Sequence, residues 1–536
     1  MRPRLLLLTP PFVQANTPYP ATMHLTGFLR SRGFDVFQWD LSIKVVRDIL
    51  IDYGGDEAEE ILELLSSPQV PDDDKVEASR LIDELALEIR DQVDASFGFS
   101  RYAERISAQA ADFGAIEKLI RRRGVMDRPL ARHLKEAIAE TRPTVIGVTC
   151  PFPGTLVGAF KIAKYVRRHH PEIRLVLGGG FVSTELREMS DSRPRTYFDD
   201  FLFDEGYAPM LKLLGEDAAV KDMPRFVAPC YDEIDWDEYF DVVETENPMH
   251  RLWSVGRWRK LQMARGCYWH KCAFCDVILP YINCFEQPKA AEIVDAMEAL
   301  CAEDASDSPT GFHFVDEAMP PALIRQVSEE ILRRGLQVEW WGNVRFDLSF
   351  TPELCQLMAK AGCIAVTGGL ECADDRLLKL MTKGITLSSA RKALRAFHCA
   401  GIMVHAYLMY GFPTETEAEA YGALEFVRGL FKADLVQSAF WHRFALTVHS
   451  PIARDPGRFG IEIADAADRP VTKRSKRTLF CRNEIPFIEP GAPDWDAIGE
   501  VLNLALYNFL EGRGLDKTPA EWKRLVLRRK RRRTNE

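Results

Sequence analysis

The chain has 536 residues, of which 46% are hydrophobic and 28% charged, with a formal net charge of −10. That length implies two or three domains with ample cores. No apolar run approaches a membrane span and the acidic balance gives no support for general nucleic-acid binding, so neither a membrane nor nucleic acid is an expected partner.

Twelve cysteines without a regular framework point to a reducing, cytoplasmic setting. Arg2, Arg4 and the Leu5 to Leu8 run superficially resemble a signal peptide, but the run stops at Thr9-Pro10-Pro11 with no small-residue cleavage site. It reads as a first buried strand ended by a turn. Residues 22–32 carry Leu25, Phe28 and Leu29 at helical spacing, Gly33 ends that helix, and residues 34–40 form the next strand. From about 43 to 140 the chain is charged and amphipathic, notably at 57–65, 75–93 and 110–123, which predicts a helical insertion. Strands resume at 145–149 and at 175–177, with a helix to about 170 between them, and a further strand–helix step runs from 200 to 214. Alternating apolar strands and helices predict a doubly wound parallel sheet, which binds ligands at the strands' carboxyl ends beside a switch point. Thr9-Pro10, Thr149 and Gly178-Gly179-Gly180 fall at those ends, and the last step carries Asp204-Glu205-Gly206. Prolines and acids between 216 and 255 predict a linker, with Trp236, Tyr239 and Trp253 available to pin it to a domain.

Next comes Arg265-Gly266-Cys267-Tyr268-Trp269-His270-Lys271-Cys272-Ala273-Phe274-Cys275, with three cysteines inside nine residues. Thiolates at this density bind a soft metal centre. A closed zinc site wants four ligands, which His270 or Cys284 would have to complete. A cubane iron–sulfur cluster on three thiolates instead leaves one iron open. Gly266 permits a sharp turn before the first ligand, and Tyr268, Trp269 and Phe274 can shield a cluster from water.

The loop resembles the cluster loop of the radical S-adenosylmethionine (SAM) enzymes. It departs in spacing, with four residues and then two between cysteines where the family has three and then two. Strands and helices alternate after it to about residue 450, and four motifs follow in the family's order. Asp316-Glu317 resembles the acidic end of the second strand, and Gly368-Gly369-Leu370-Glu371 the strand end that contacts SAM. Met381-Thr382-Lys383-Gly384 resembles the lysine–glycine turn, and Gly411-Phe412-Pro413-Thr414-Glu415-Thr416 the glycine–proline turn, with threonine at one glycine position. The resemblance implies metal ligation by Cys267, Cys272 and Cys275, and SAM binding by Gly368, Gly369, Glu371, Arg345 and Gly411. Tyr407, sharing a strand face with His405, is a candidate catalytic residue or a packed core tyrosine; His442 and His449 have similar claims. Upstream, Thr9-Pro10, Thr149, Gly178 to Gly180, Glu205 and Gly206 resemble the cobalamin-binding domain that precedes many radical SAM domains. The motif that supplies a lower histidine ligand, Asp-x-His-x-x-Gly, is absent, so no histidine on cobalt is implied from it. An empty flavodoxin-like domain is the alternative.

The resemblance thus implies an α/β chain. A cobalamin-binding-like Rossmann-type domain (1–215) precedes a linker (216–255), a partial (β/α) radical SAM barrel (256–450) and a small α-rich C-terminal region (451–536). That last region should hold a polar loop, a strand at 484–488, a helix at 494–510 and a solvated basic tail at 523–533, with no auxiliary cluster. The implied cofactors are a [4Fe–4S] cluster, SAM and cobalamin, with an electron donor such as flavodoxin or ferredoxin. The implied activity is C-methylation of a natural product or peptide; alternatives are a radical oxidation, ring rearrangement or cyclisation without methyl transfer, and a zinc-bearing binding protein.

Overall fold

The computed structural model describes residues 3–67, 70–98, 104–108, 112–216, 219–245, 247–254, 257–304, 309–464 and 479–533. They fall into two units, one built from 1–246, 250–259 and 472–483, the other from 247–249, 260–471 and 484–536.

The first unit is organised on β1 (Arg4–Thr9), β2 (Asp35–Asp40), β3 (Val145–Thr149), β4 (Arg174–Gly178) and β5 (Asp200–Phe201). The strands pair in parallel in the order β2-β1-β3-β4-β5. Leu5 to Leu8 are all buried, because helices cover both faces of a parallel sheet. Each such leucine stabilises the fold by about 1.5–3 kcal/mol. The order in which strands are added reverses between β1 and β3, which creates a switch-point crevice at their carboxyl ends. The insertion between β2 and β3 is helical, with helices Leu41–Ser66, Asp72–Gln92, Glu104–Ala108, Phe113–Arg121 and Asp127–Thr141. Asp40 starts it, accepting N–H bonds from Ser42 and Ile43 and the Tyr239 hydroxyl proton.

Residues 219–245 and 250–254 belong to this unit rather than forming a linker. Cys230 N–H bonds the Met23 carbonyl, Phe240 N–H bonds the Ala15 carbonyl, and Trp253 accepts from the Asn16 amide. Prolines and acids broke the helical and strand periodicity here, but backbone bonds to the first helix and loop hold the segment. Residues 479–483 join it too, with Phe480 packed 4.9 Å from Phe113.

The second unit carries β6 (Arg259–Leu261), β7 (Thr310–Phe314), β8 (Val338–Val344), β9 (Cys363–Glu371), β10 (Met403–Tyr410) and β11 (Ser438–Arg443), neighbours in chain order. From β7 to β11 every pairing is parallel, with a helix or helix pair in each crossover. This is the partial (β/α) barrel. Strand alternation sorts its two faces. Phe312, Phe314, Trp340, Val344, Val366, Val404, Leu408 and Trp441 are buried on one. The other carries His313, Trp341, Asn343, Thr367, Gly369, His405, Tyr407, Phe440 and His442, and these residues meet in register.

Helix Trp495–Leu510 follows, and Phe487–Ile488 pairs antiparallel with Glu462–Ile463. Much of the expected polar loop, residues 465–478, lies outside the described residues. The basic tail is not a loose end. It forms helix Pro519–Arg533, anchored by Trp522 and Val526 one turn apart, with the Trp522 ring 6.0 Å from Phe509. Among the described residues no helix is long and apolar enough to cross a membrane.

Candidate functional site

The cysteine loop leaves β6 under the control of a carboxylate. Asp316, just beyond β7, is buried and accepts N–H bonds from Met263 (2.8 Å) and Ala264 (2.7 Å). Burial pushes its pKa up to about 7 despite those bonds. Arg265 and Glu286 then bridge antiparallel across the loop's mouth. Gly266 has φ 73, and a Cβ there would strike the Cys284 carbonyl, so only glycine fits. The extra residue of the loop is absorbed locally. His270 takes φ 36 and turns its Nδ1 to within 2.9 Å of the Cys267 carbonyl.

The Met381–Gly384 turn latches this loop from the side. Ala273 N–H bonds the Met381 carbonyl at 2.8 Å, and the Trp269 indole N–H bonds the Thr382 carbonyl at 2.8 Å. The indole ring lies against Gly384, where any Cβ would collide with it. Positive charge gathers behind the thiols. The Arg345 guanidinium sits 4.7 Å from the Trp269 ring centre, with Nη1 4.0 Å from Cys272 Sγ, and it donates to the Lys383 carbonyl. Its Nε is buried without a hydrogen-bond partner. The Cys272 thiol is pulled down to about 6 by its hydrogen bond with Cys275, helped by Lys383 and Arg345, while Cys275, which keeps the shared proton, is pushed up. Among the described residues no group of three His, Cys, Asp or Glu residues is arranged to hold a single metal ion. Cys284 Sγ donates to the Tyr281 carbonyl instead.

At the end of β9, Glu371 stands at φ 65 and pairs with Lys383 Nζ at 2.6 Å, both side chains buried. Burial works against the Lys383 charge, but Glu371 more than offsets it and the pKa sits above its ordinary value. Gly369 makes room for the pair, since its Cβ would collide with the Glu371 carboxylate. At Gly368 a Cβ would lie 2.7 Å from the Val344 carbonyl. Both glycines therefore have packing reasons of their own. Gly411 has φ 75, and its N–H and that of Phe412 both reach Glu415 Oε2, at 2.7 and 3.1 Å. Burial pushes Glu415 up to about 7. Thr414, at the position where the family turn has glycine, has φ 71. Tyr407 is not a core residue: it is 36% exposed, above buried His405, whose Nδ1 lies 3.0 Å from Ser438 Oγ. His442 lines the same face, whereas His449 is buried and its carbonyl accepts from Ile278. Asp316 and Glu415 were absent from the predicted site residues because their partners are backbone N–H groups, which the sequence does not display.

In the first unit the predicted residues line the carboxyl ends of adjacent strands: Thr9 ends β1 and Pro10 follows it, Thr149 ends β3, Gly178 ends β4 and Gly179 and Gly180 follow it, and Glu205 and Gly206 come after β5. The Thr9 and Thr149 hydroxyls and Glu205 Oε1 are buried with no hydrogen-bond partner. Gly179 has φ 113, and its Cβ would press on the Cys150 backbone, so this turn must stay bare. The Cys150 thiol and the Tyr19 phenol lie below and are both pushed up to about 12 by burial. Bare backbone and unmet polar groups at a switch point fit a large, polar cofactor.

Residues 261–427 match the radical SAM superfamily. This segment is a radical SAM domain. The whole chain superposes on the radical SAM methyltransferase TsrM of Kitasatospora setae, solved with cobalamin and a [4Fe–4S] cluster. The TM-score is 0.55 at 17% identity, covering 95% of this chain and 89% of that one. The cobalamin-dependent SAM radical enzyme OxsB, solved with aqua-cobalamin and SAM, gives 0.55 at 13% identity over 94% of this chain and 66% of that one. At these identities the likeness is one of fold, spanning both the radical SAM domain and the five-stranded unit. The anaerobic magnesium-protoporphyrin IX monomethyl ester cyclase of Rubrivivax gelatinosus is 24% identical over 310 residues, 53% of this chain and 54% of the cyclase. The chain thus spans about half the length of that curated relative.

Proposed function

We propose that this chain is a cobalamin-dependent radical SAM C-methyltransferase acting on a small natural product or a peptide. The observation that carries it is the three-cysteine loop, latched against the buried Arg345, Lys383 and Glu371 at the strand ends of the radical SAM domain. Cys267, Cys272 and Cys275 would hold a [4Fe–4S] cluster. Glu371, Arg345, Gly368, Gly369 and Gly411 would hold SAM, and Thr9, Pro10, Thr149, Gly178 to Gly180, Glu205 and Gly206 would hold cobalamin. When bound, the cluster supplies the electron that cleaves SAM, and cobalamin supplies methyl-transfer chemistry.

The protein's own residues prepare that chemistry. Arg345 and Lys383 favour thiolates in the loop and offset the negative charge that thiolate ligands bring. Tyr268, Trp269 and Phe274 lie against these cations, which keeps water away from the cysteines. Asp316 fixes the loop's entry, and the turn at Gly384 fixes its flank. The oxygens of Thr9, Thr149 and Glu205 offer hydrogen bonds to the cofactor's polar periphery. An external one-electron donor such as flavodoxin or ferredoxin would reduce the cluster, and the many thiols suit a reducing cytoplasm.

SAM carrying a deuterated methyl group tests the reading. Label recovered in the product supports methyl transfer, and label confined to SAM and methionine contradicts it. The cyclase relative favours a second reading, ring formation by the same radical SAM domain without methyl transfer, which that second outcome would support.

A further inference from the structure

Parallel sheets are ordinarily covered on both faces. On β10 and β11 the second face is buried at His405 and Ser438 but, among the described residues, open toward the carboxyl ends. Val404, Ala406, Leu408, Ala439 and Trp441 are buried on the first face, while on the second Tyr407 is 36% exposed and Phe440 53%. Tyr407 stands directly across from Phe440, and Met409 across from the exposed His442. The His442 ring lies 4.5 Å from Phe440 and 6.2 Å from Tyr407. A lone exposed aromatic such as Tyr507 is ordinary, but three rings side by side on a strand face forfeit burial unless something covers them.

Tyr407 is held in place from below. His405 is buried, meets Tyr407 edge-on at 4.7 Å and is hydrogen-bonded to Ser438. On its other side Tyr407 registers with Gly369, the residue that leaves room for the Glu371 carboxylate. The rings are therefore continuous with the Glu371–Lys383 pair at the strand ends. They offer little to an anion, because Lys383 is paired with Glu371 and Arg443 with Asp496. Burial also holds the His442 pKa below its ordinary value, against the pull of Glu371. What remains is a largely uncharged aromatic surface whose Tyr407 and Phe440 rings tilt by 39° and 53° from the His442 ring, so that each can offer its own face to a ligand.

We propose that Tyr407, Phe440 and His442 form a platform on the open face of β10 and β11 that stacks a planar conjugated ring of the substrate. This rests on the radical SAM reading above, and it places the ring beside the residues assigned to SAM. Tyr407 is then a substrate-contact residue and needs no proton-transfer role.

Saturation-transfer NMR on the full chain, with indole as the planar probe and cyclohexanol as a non-planar one, tests the platform without iron, SAM or corrin. Indole should bind, and Phe440→Ala and Tyr407→Ala should each weaken it by roughly three- to tenfold. Phe440→Leu, which keeps an apolar side chain of similar bulk, should weaken it too. Tyr507→Ala should have no effect. Equal indole binding by the platform variants and the unaltered chain would overturn the assignment, as would cyclohexanol binding as tightly as indole. Iron retention by the same variants reads the cluster site separately, so failure of the platform and failure of the radical SAM reading are distinguishable.

Discussion

Gly384 shows how narrowly single residues define the cysteine loop. Its missing side chain lets the Trp269 indole lie over the turn and bond the Thr382 carbonyl. Gly384→Ala would push the indole away and free one flank of the loop, so the variant should retain less than half the iron of the unaltered chain after desalting, read by iron assay. Glu371→Gln leaves Lys383 buried without its ion pair. SAM affinity should fall about ten- to a hundredfold by calorimetry, the range for a lost bond to a charged group. Two carboxylates make stability depend on pH. Burial raises Asp316 and Glu415 to about 7. Between about pH 4.5 and 7 the folded chain keeps protons at these sites that the unfolded chain has released. Stability should therefore fall as pH rises through that window and level off above it. Glu415→Gln should flatten the dependence of Tm on pH there, and an unchanged profile would show that Glu415 does not titrate in this range. Three thiols in nine residues draw the sequence reading to this loop, because few chemistries use that density. The packing duties of Gly368 and Gly369 were not legible, since collisions with Val344 and Glu371 appear only once β8 and β9 are paired.

At the scale of elements, the tail helix Pro519–Arg533 carries the clearest prediction. Trp522 is its main anchor, packed on Phe509 and against Gly514. Trp522→Ala should cost about 3 kcal/mol of local packing and should speed tryptic cleavage after Arg528 and Lys530 severalfold, read by mass spectrometry. Cleavage at the original rate would mean that the helix is held by its charged contacts, such as Lys523 with Glu417. Charge hid this helix in the sequence, where two apolar anchors stand among many basic residues. The barrel strands were readable because apolar runs end in glycine or acidic turns at regular intervals. Residues 219–245 misled for the opposite reason. Their prolines and acids resemble a linker, yet they pack through backbone hydrogen bonds and through Tyr239, whose hydroxyl reaches Asp40.

At the scale of the whole chain, two α/β units carry two sets of unmet chemistry: thiols backed by cations in one, and bare glycine turns with unpartnered hydroxyls in the other. The order of motifs along the sequence pointed to both sets, and the structure puts those motifs at or just after strand ends. The open aromatic face of β10 and β11 was not legible, because only strand pairing shows which side is left uncovered. The central claim is that one chain holds both a three-cysteine cluster and a corrin. Anaerobic reconstitution with iron, sulfide and hydroxocobalamin, followed by desalting, metal analysis and an absorption spectrum, tests it most directly. The account predicts about four irons per chain and a retained corrin band, with the iron lost in Cys272→Ala and the corrin band retained. Zinc without iron, or iron without corrin, would contradict it.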